Sequence, residues 1–245
     1  MHDADLDGRV ALVTGSASGV GRGLALALAD AGADVAVHYH SSDAAAATTA
    51  ADAEALGVTA TTVQGDVTDP ESVNGMFEAV EAELGSVDVL VNNVGDFDPR
   101  HWSEIDLADW NRVLDTNLTG TMLCCRRALP AMRGQEWGRI VNVGYAGSDK
   151  ALTGATNFPY FVAKTGVLMF TRMLASDTQD DGITVNAVSP YVIETSDEFP
   201  DEAPRGRWGT VEDVANAALF FCDSDSDYVS GENIEIDGGW LPESI

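Results

Sequence analysis

Lysine is almost absent from this chain, since Lys150 and Lys164 are its only lysines. Lysine and arginine together number 13 against 40 aspartate and glutamate residues, which gives a net charge of -27 at neutral pH. A protein with this negative charge repels nucleic acids and anionic membranes, and we therefore expect neither as a partner. Self-repulsion also destabilises the fold in dilute buffer, whereas molar salt shortens the Debye length to about 3 Å. We therefore expect a salt-adapted protein from a high-salt cytoplasm.

Cysteine and long apolar runs are scarce as well. Cys124, Cys125 and Cys222 form no CxxC pair and no cluster with histidine, so neither a metal site nor a disulfide framework is indicated. The first two lie in an apolar helical pattern and are expected to be buried thiols. No segment is apolar for the length of a membrane-spanning helix, and the polar start Met1–Asp7 lacks the features of a secretory signal. These observations favour a cytoplasmic protein.

The chain instead alternates short apolar runs with helical patterns. A length of 245 residues with 45% hydrophobic content suits one domain over residues 1–245. Unbroken runs of Val, Ile and Leu are typical of strands buried on both faces, as in parallel sheets. The predicted strands are Val10–Thr14, Val35–Tyr39, Thr59–Gln64, Val87–Asn92, Arg139–Val143, Thr184–Val188 and Asn233–Ile236. The predicted helices are Gly21–Ala31, Ala44–Leu56, Glu71–Leu84, Asp109–Met132, Tyr160–Thr178 and Val211–Cys222. This alternation predicts an α/β fold of the Rossmann type, with a doubly wound parallel sheet.

Glycines follow the first predicted strand. Glycine at this place lets the backbone approach a pyrophosphate, and the following helix N-terminus supplies free N–H groups and a positive dipole end. A tight turn without a ligand is the alternative, because glycine patterns are weak evidence alone. The position at strand one and helix one favours dinucleotide binding. The residues expected to contact it are Gly15, Ser18, Gly19, Val20 and Gly21.

The end of the second predicted strand bears on the choice between NAD(H) and NADP(H). An acid there would bond the ribose hydroxyls and repel a 2′-phosphate, but no acid occurs before Asp43. His40, Ser41 and Ser42 carry donors for a phosphate, which favours NADP(H). No arginine or lysine fixes the choice, so a polar strand end that accepts either cofactor stays open.

Two more segments follow predicted strands. Asp66 and Val67 come after the third strand, and Asn93 and Gly95 come after the fourth. The carboxyl ends of strands are where doubly wound folds bind ligands, so we expect these residues to contact the cofactor. Turn formation is the alternative, since Asn, Asp and Gly all favour turns.

Taken together, these segments resemble the short-chain dehydrogenase/reductase family over nearly the whole chain. The matching pieces are Thr14–Gly21, Gly65–Val67, Asn92–Gly95, Asn117, Gly138–Val143, Tyr160–Lys164, Ser189–Pro190 and Gly231–Gly239. The resemblance implies an oxidoreductase that exchanges hydride between NADPH and a carbonyl or alcohol substrate. It also implies a homotetramer or homodimer.

The same resemblance assigns roles to single residues. It implies that Tyr160 donates the proton, that Lys164 holds the nicotinamide ribose and that Asn117 helps position a proton-relaying water. Four residues apart on a helix, Tyr160 and Lys164 share one face. An ammonium beside a phenol is expected to lower the phenol pKa from about 10. The family segment that meets the cofactor's nicotinamide end is matched by Pro190, Ile193 and Thr195.

The pattern breaks at the serine with which the family bonds the substrate carbonyl. Counting from the fifth predicted strand puts that position at Tyr145, whereas counting back from Tyr160 puts it beside Ser148. Ser148, Tyr145, or Tyr160 with water alone therefore remain candidates for polarising the substrate. A second departure is Tyr191, which stands where the family usually has glycine and is expected to narrow the nicotinamide pocket.

Three functions stay open at this point. The order of the motifs favours an NADPH-dependent carbonyl reductase resembling the 3-oxoacyl-thioester reductases. A pteridine-type reductase is the second, because its members also lack the serine and have a run similar to His38–Ser42. A sensor that binds NADP without turnover is the third, and the intact Tyr160, Lys164 and Asn117 argue against it.

Subunit pairing involves the two long helices in this family. Apolar residues on both are available for such contacts, although the same residues are equally compatible with an internal core. They are Leu114, Leu118, Met122, Leu168, Met169 and Met173.

Overall fold

The fold is a single seven-stranded parallel sheet. It was obtained as a computed structural model that describes residues 4–148, 150, 155–196, 199 and 201–240. The strand order is β3-β2-β1-β4-β5-β6-β7, and all six pairings are parallel. The strands are β1 (Val10–Val13), β2 (Asp34–Tyr39), β3 (Ala60–Gln64), β4 (Val89–Asn92), β5 (Gly138–Val143), β6 (Ile183–Pro190) and β7 (Asn233–Ile236). The predicted doubly wound sheet is confirmed.

Helices cover both faces of the sheet. The helices are α1 (Gly19–Asp30), α2 (Asp43–Glu54), α3 (Pro70–Glu83), α4 (Leu107–Leu114), α5 (Gly120–Gln135), α6 (Phe158–Asp177) and α7 (Val211–Cys222). They lie in the connections between consecutive strands, with α4 and α5 together between β4 and β5, and so make the crossovers that parallel strands require. None of the described helices is long and apolar enough to cross a membrane.

The predicted helix Asp109–Met132 is wrong in one respect. It is interrupted by a π-helical turn at Asp115–Thr119, which separates α4 from α5. A π turn holds one residue more than a regular helical turn, and such turns are frequent at functional sites. Apolar periodicity averaged over a long window does not reveal a single extra residue. The turn carries Asn117, which is buried.

Two apolar layers enclose the sheet. On one face α1, α2 and α7 pack with residues such as Leu24 and Phe221, and on the other α3 and α5 pack with residues such as Phe77 and Met132. Residues of the central strands are buried from both sides, which explains why these strands have unbroken apolar runs, whereas the edge strands β3 and β7 are only partly buried. The three cysteines are buried free thiols, as expected for the first two.

The strand order places a crevice at the middle of the sheet. From β1 the chain moves outward through β2 and β3, and it then returns to lay β4 on the other side of β1. The loops after β1 and β4 therefore part in opposite directions. Doubly wound folds bind ligands outside the carboxyl ends of the strands at this point.

Candidate active site

A cavity of about 760 Å³ lies at the carboxyl ends of β1 to β4. It brings together residues from four separate loops that sequence reasoning had singled out one by one. Those of the predicted set that line it are Gly15, His40, Asp66, Val67, Asn93 and Gly95. Its position at the crossover of the sheet is the one expected for a dinucleotide.

The glycine loop after β1 depends on glycine at three positions. Gly15 and Gly19 have φ of +65° and +57°, a region that side chains rarely adopt. A Cβ on Gly21 would lie 2.3 Å from the carbonyl oxygen of Gly15. Ser18 caps α1 in an extended conformation without a side-chain capping bond. The first N–H groups of α1, from Gly19 through Val20, are therefore available to an anion.

His38 holds this loop in place, a role that the sequence did not reveal. The backbone N–H of Gly15 donates to His38 Nδ1 at 2.9 Å, and His38 Nε2 lies 3.1 Å from the carbonyl oxygen of Gly65. The ring is buried, and burial lowers its pKa to about 4. It is therefore a neutral imidazole that accepts at Nδ1 and donates at Nε2. The position of a histidine within an otherwise apolar strand was the sequence feature that could have indicated this buried structural role.

The predicted phosphate donors lie on the surface at the end of β2. His40, Ser41 and Ser42 are exposed, and Ser42 precedes α2 without making a side-chain capping bond. The His40 ring is oriented by the carbonyl oxygen of Gly65, 3.3 Å from its Nδ1. His40 lines the cavity, whereas Ser41 and Ser42 are not among its lining residues.

Asp66 and Val67 form one wall of the cavity. One carboxylate oxygen of Asp66 accepts from the hydroxyl of Thr68 at 2.7 Å and from its N–H at 2.9 Å. These bonds hold the pKa of Asp66 below its usual value, so the carboxylate is ionised and its second oxygen is an acceptor. Val67 is buried and packs against α5 at Gly120.

Asn93 ties the loop after β4 to the glycine loop. Its Nδ2 lies 3.0 Å from the carbonyl oxygen of Thr14 and 3.2 Å from that of Gly15. The hydroxyl of Thr14 in turn accepts from the N–H of Asn93 at 2.9 Å. Asn93 therefore positions the loops, and Thr14 is a second residue that sequence reasoning missed.

Tyr160 and Lys164 lie in the first turns of α6, beyond the cavity. Lys164 is 4% exposed, its Nζ donates to the carbonyl oxygen of Val143 at 2.8 Å, and it lies 5.6 Å from the centre of the Tyr160 ring. Burial lowers the pKa of Lys164 to about 8. The two side chains therefore share a face, as their spacing predicted.

The predicted acidity of the phenol is wrong for this geometry. Burial, with a smaller contribution from Tyr145, raises the pKa of Tyr160 above its usual value. The Lys164 ammonium lies against the ring and donates to Val143, so the loss of solvation outweighs its attraction for a phenolate. Spacing along a helix predicts proximity, whereas the pKa depends on depth of burial.

Asn117 brings an unsatisfied acceptor next to Lys164. Its Nδ2 donates to the carbonyl oxygens of Val113 at 2.9 Å and Asp96 at 2.6 Å, while its Oδ1 is buried without a partner. A Cβ on Gly95 would lie 2.9 Å from that Oδ1 and 3.6 Å from Lys164 Nζ. Buried acceptors are rarely left unpaired, so this position suits a water or ligand donor.

Comparison with known proteins agrees with this arrangement. Residues 15–241 match the family model described as enoyl-(acyl carrier protein) reductase. The chain is 37% identical over 244 residues to a 3-oxoacyl-(acyl-carrier-protein) reductase of Aquifex aeolicus, covering 96% of this chain and 98% of that protein. A short-chain type dehydrogenase/reductase from Mycobacterium marinum superposes with a TM-score of 0.90 at 33% identity, covering 97% of both chains. The chain belongs to the short-chain dehydrogenase/reductase family.

A further structural relative was crystallised with a cofactor bound. A gluconate 5-dehydrogenase from Burkholderia cenocepacia, in complex with NADP and tartrate, superposes with a TM-score of 0.89 at 31% identity over 98% of both chains. As a short-chain dehydrogenase/reductase, the present chain is an oxidoreductase acting on CH–OH and C=O groups.

Ser148 and Tyr145 are the two candidates for the hydroxyl that bonds the substrate carbonyl in this short-chain dehydrogenase/reductase. The hydroxyl of Ser148 donates to the carbonyl oxygen of Tyr145 at 2.6 Å, and Ser148 is only 2% exposed. The Tyr145 ring lies 5.6 Å from the Tyr160 ring at 72°. Burial raises the pKa of Tyr145 to about 12, so its hydroxyl is a donor. Of the two candidates, Tyr145 is the one that contacts Tyr160.

The residues that follow β6 differ in how far they are buried. Pro190 ends β6, and Ile193 is buried with its N–H donating to the hydroxyl of Ser196 at 3.1 Å. Thr195 is exposed. Tyr191, which stands in place of the family's glycine, lies 6.0 Å from Tyr145 between ring centres.

A buried polar chain supports α6 from behind. Asn92 donates to Asn142 at 2.9 Å, and Asn142 donates to the hydroxyl of Thr171 at 2.9 Å. These bonds connect β4, β5 and α6 and so fix the helix that carries Tyr160 relative to the sheet. Asn92 and Asn142 each lie within an apolar strand, and buried amides of this kind need hydrogen-bond partners, so their positions could have indicated this network. Across the described ranges, no group of three or more His, Cys, Asp or Glu residues is placed to hold a metal ion.

Proposed function

We propose that this protein is an NADPH-dependent carbonyl reductase that acts on 3-oxoacyl thioesters or similar β-keto compounds. The meeting of Asn117, Lys164 and Gly95 beside Tyr160, next to the nucleotide cavity, carries the proposal. The relative from Aquifex aeolicus supports the substrate class, and the relative described with NADP supports the cofactor.

The described residues fit a phosphorylated dinucleotide. The glycine loop and the N-terminus of α1 would hold the pyrophosphate, and Asp66 with Val67 would hold the adenine. His40, Ser41 and Ser42 would meet the 2′-phosphate, where a carboxylate would oppose it. NADPH supplies the hydride when it is bound.

Proton transfer is the work of the chain's own residues. The raised pKa of Tyr160 keeps its phenol protonated, which suits a donor to a carbonyl oxygen in the reductive direction. Lys164 and a water bonded to the Asn117 Oδ1 would restore that proton. Tyr145 would donate a hydrogen bond to the same carbonyl in place of the family's serine.

The decisive test follows NADPH oxidation by acetoacetyl-CoA in molar KCl. Tyr160→Phe should lower kcat by at least about a hundredfold, while fluorescence titration shows NADPH binding unchanged. Tyr228→Phe is the matched control, because Tyr228 is fully exposed. Retained turnover in Tyr160→Phe, or turnover of crotonyl-CoA but not acetoacetyl-CoA, would contradict the proposal.

The preference for NADPH over NADH needs its own measurement. The wild-type KM should be lower for NADPH than for NADH. Ser41→Asp should lower kcat/KM with NADPH about tenfold or more, because the new carboxylate repels the phosphate. Activity with NADH should change much less, and an equal loss with both cofactors would refute the assignment of Ser41.

The pteridine alternative has less support. Part of its basis was the run His38–Ser42, but His38 is buried under the glycine loop and serves it structurally. Turnover of a dihydropterin without turnover of acetoacetyl-CoA would restore that alternative. A sensor would turn over no carbonyl substrate. The assays with acetoacetyl-CoA and a dihydropterin therefore also test this alternative.

We also propose that the protein forms a homotetramer or homodimer through α4 and α6. Leu107, Val162, Met169 and Met173 are half or more exposed and apolar, whereas Leu168 is buried and belongs to the core. Exposed apolar clusters of this kind favour subunit contacts. Light scattering in molar KCl measures the state directly, and a monomeric mass would refute the proposal.

A further inference from the structure

Aromatic residues make up only 7% of the chain, yet a connected set of them surrounds Tyr160. Ring centres lie 6.5 Å apart between Phe97 and Tyr160, 5.6 Å between Tyr160 and Tyr145, and 6.0 Å between Tyr145 and Tyr191. Trp240 stacks on Tyr191 at 6.5 Å and 21°. We call this set, with Phe161 behind it, the aromatic wall. Its members are Phe97, Tyr145, Tyr160, Phe161, Tyr191 and Trp240.

The two ends of the aromatic wall are open to solvent but held by the fold. Phe97 is 44% exposed and Trp240 is 36% exposed. Beside Phe97, the Asp96 carboxylate forms an ion pair with Arg112. At the other end, the chain turns through glycines with φ of +66° and +83° before Trp240. The exposed rings at both ends are therefore accessible to a bound ligand.

Two acids near the aromatic wall are paired with cationic side chains. Asp96 is paired with Arg112, and Glu235 is paired with Lys150 and accepts from the N–H of Gly147 at 2.7 Å. These two acids are thus neutralised by their own partners, which favours apolar and ring contacts at this part of the wall.

We propose that the aromatic wall binds the substituent on the substrate's carbonyl carbon and selects an aryl ketone over a methyl ketone. This inference rests on the proposed function, since it needs Tyr160 as the proton donor to that carbonyl. Tyr145 is the ring beside Tyr160, and Tyr191 and Trp240 follow it, so a substrate whose oxygen reaches the Tyr160 hydroxyl would place its substituent along these rings. Edge-to-face and offset stacking on these rings favour an aromatic group beyond its apolar area.

Two β-keto esters that differ only at this substituent test the idea. Ethyl benzoylacetate and ethyl acetoacetate are compared by kcat/KM at saturating NADPH in molar KCl. The benzoyl ester should be preferred about threefold or more. Tyr191→Ala and Trp240→Ala should each lower this preference by about three- to tenfold, through a higher KM for the benzoyl ester. Tyr228→Ala, at a fully exposed tyrosine, should leave it unchanged.

The possible outcomes distinguish a failure of the aromatic selection from a failure of the proposed function. Reduction of neither ester nor acetoacetyl-CoA would refute the proposed function itself. Reduction of both esters with no preference, or a preference that survives both substitutions in folded protein, would overturn only the aromatic selection. A rise in KM for NADPH with equal losses for both esters would also overturn it, because the rings would then serve the cofactor. Circular dichroism of each variant confirms that it is folded.

Discussion

Lys164 should set the alkaline limit of carbonyl reduction. Its buried ammonium has a pKa of about 8, so it loses its proton as the pH rises through that value. In the proposed mechanism the charged form restores the proton of Tyr160, so kcat/KM for reduction should be constant below pH 8 and fall above it, about tenfold per pH unit. A pH profile between about pH 6 and about pH 10 measures this.

Lys150 provides the matched control for that profile. It is the only other lysine, and its ion pair is with Glu235 of β7. Lys150→Met should leave the midpoint unchanged. A wild-type profile that is flat through pH 8 would show that the charge of Lys164 does not limit the reaction.

Tyr145 and Ser148 should respond differently to removal of their hydroxyls. Tyr145→Phe should lower kcat about a hundredfold, because a preorganised donor to the developing oxyanion is lost. Ser148→Ala should change kcat by less than about threefold, since that hydroxyl is bonded to the carbonyl of Tyr145. Single-turnover kinetics of both variants measures this. The reverse ranking would assign the donor to Ser148.

Sequence reasoning predicted the proximity of Tyr160 and Lys164 better than their protonation states. The four-residue spacing predicted that Tyr160 and Lys164 lie on one face, and the structure confirms it. The acidified phenol was wrong because burial, which raises the pKa of Tyr160, cannot be read from spacing. The role of His38 was missed for the same reason, since its partners Gly15 and Gly65 lie far away along the chain.

The junction of β1 and α1 should tolerate no side chain at Gly21. A Cβ there would lie 2.3 Å from the carbonyl oxygen of Gly15 and 2.5 Å from Nδ2 of Asn93, so backbone must move. Gly21→Ala should lower the free energy of unfolding by about 2 kcal/mol and weaken NADPH binding. Urea unfolding and fluorescence titration measure the two effects.

Gly75 in the middle of α3 is the matched control. Its Cβ would meet no atom within 4 Å, and the residue is exposed. Gly75→Ala should raise the free energy of unfolding by about 0.5 to 1 kcal/mol, because alanine favours a helix over glycine. Equal changes in the free energy of unfolding for Gly21→Ala and Gly75→Ala would mean that the close contact between Gly21 and the Gly15 carbonyl does not affect stability.

At the level of elements, alternation of apolar runs predicted all seven strands and their parallel arrangement. Boundaries shifted by a few residues: α6 begins at Phe158 rather than Tyr160, and β6 extends to Pro190. Caps and strand ends depend on local hydrogen bonds that periodicity does not encode. The π turn around Asn117 was missed because one extra residue barely disturbs a long apolar pattern.

The whole molecule should be stabilised by salt. A net charge of -27 repels itself, and molar KCl screens that repulsion. Salt also weakens the surface ion pairs, such as Arg100 with Asp109 and Arg133 with Asp177, but each exposed pair contributes only about 0 to 1 kcal/mol. The melting temperature should therefore rise by about 5 °C or more between dilute buffer and molar KCl.

Differential scanning calorimetry at several KCl concentrations tests this expectation. The rise should be steepest at low ionic strength, where screening changes most. A melting temperature that stays constant or falls would mean that the surface ion pairs outweigh the repulsion. The salt-adapted origin predicted from composition would then lose its physical basis.

The scarcity of lysine has a practical consequence for handling this protein. Lys164 is 4% exposed, and the side chain of Lys150 is 20% exposed and paired with Glu235. Amine-directed reagents therefore have a single reachable lysine, far fewer than on most proteins of this size. A dye or a surface linker directed at amines would then reach Lys150 and the α-amino group and leave the buried Lys164 unmodified.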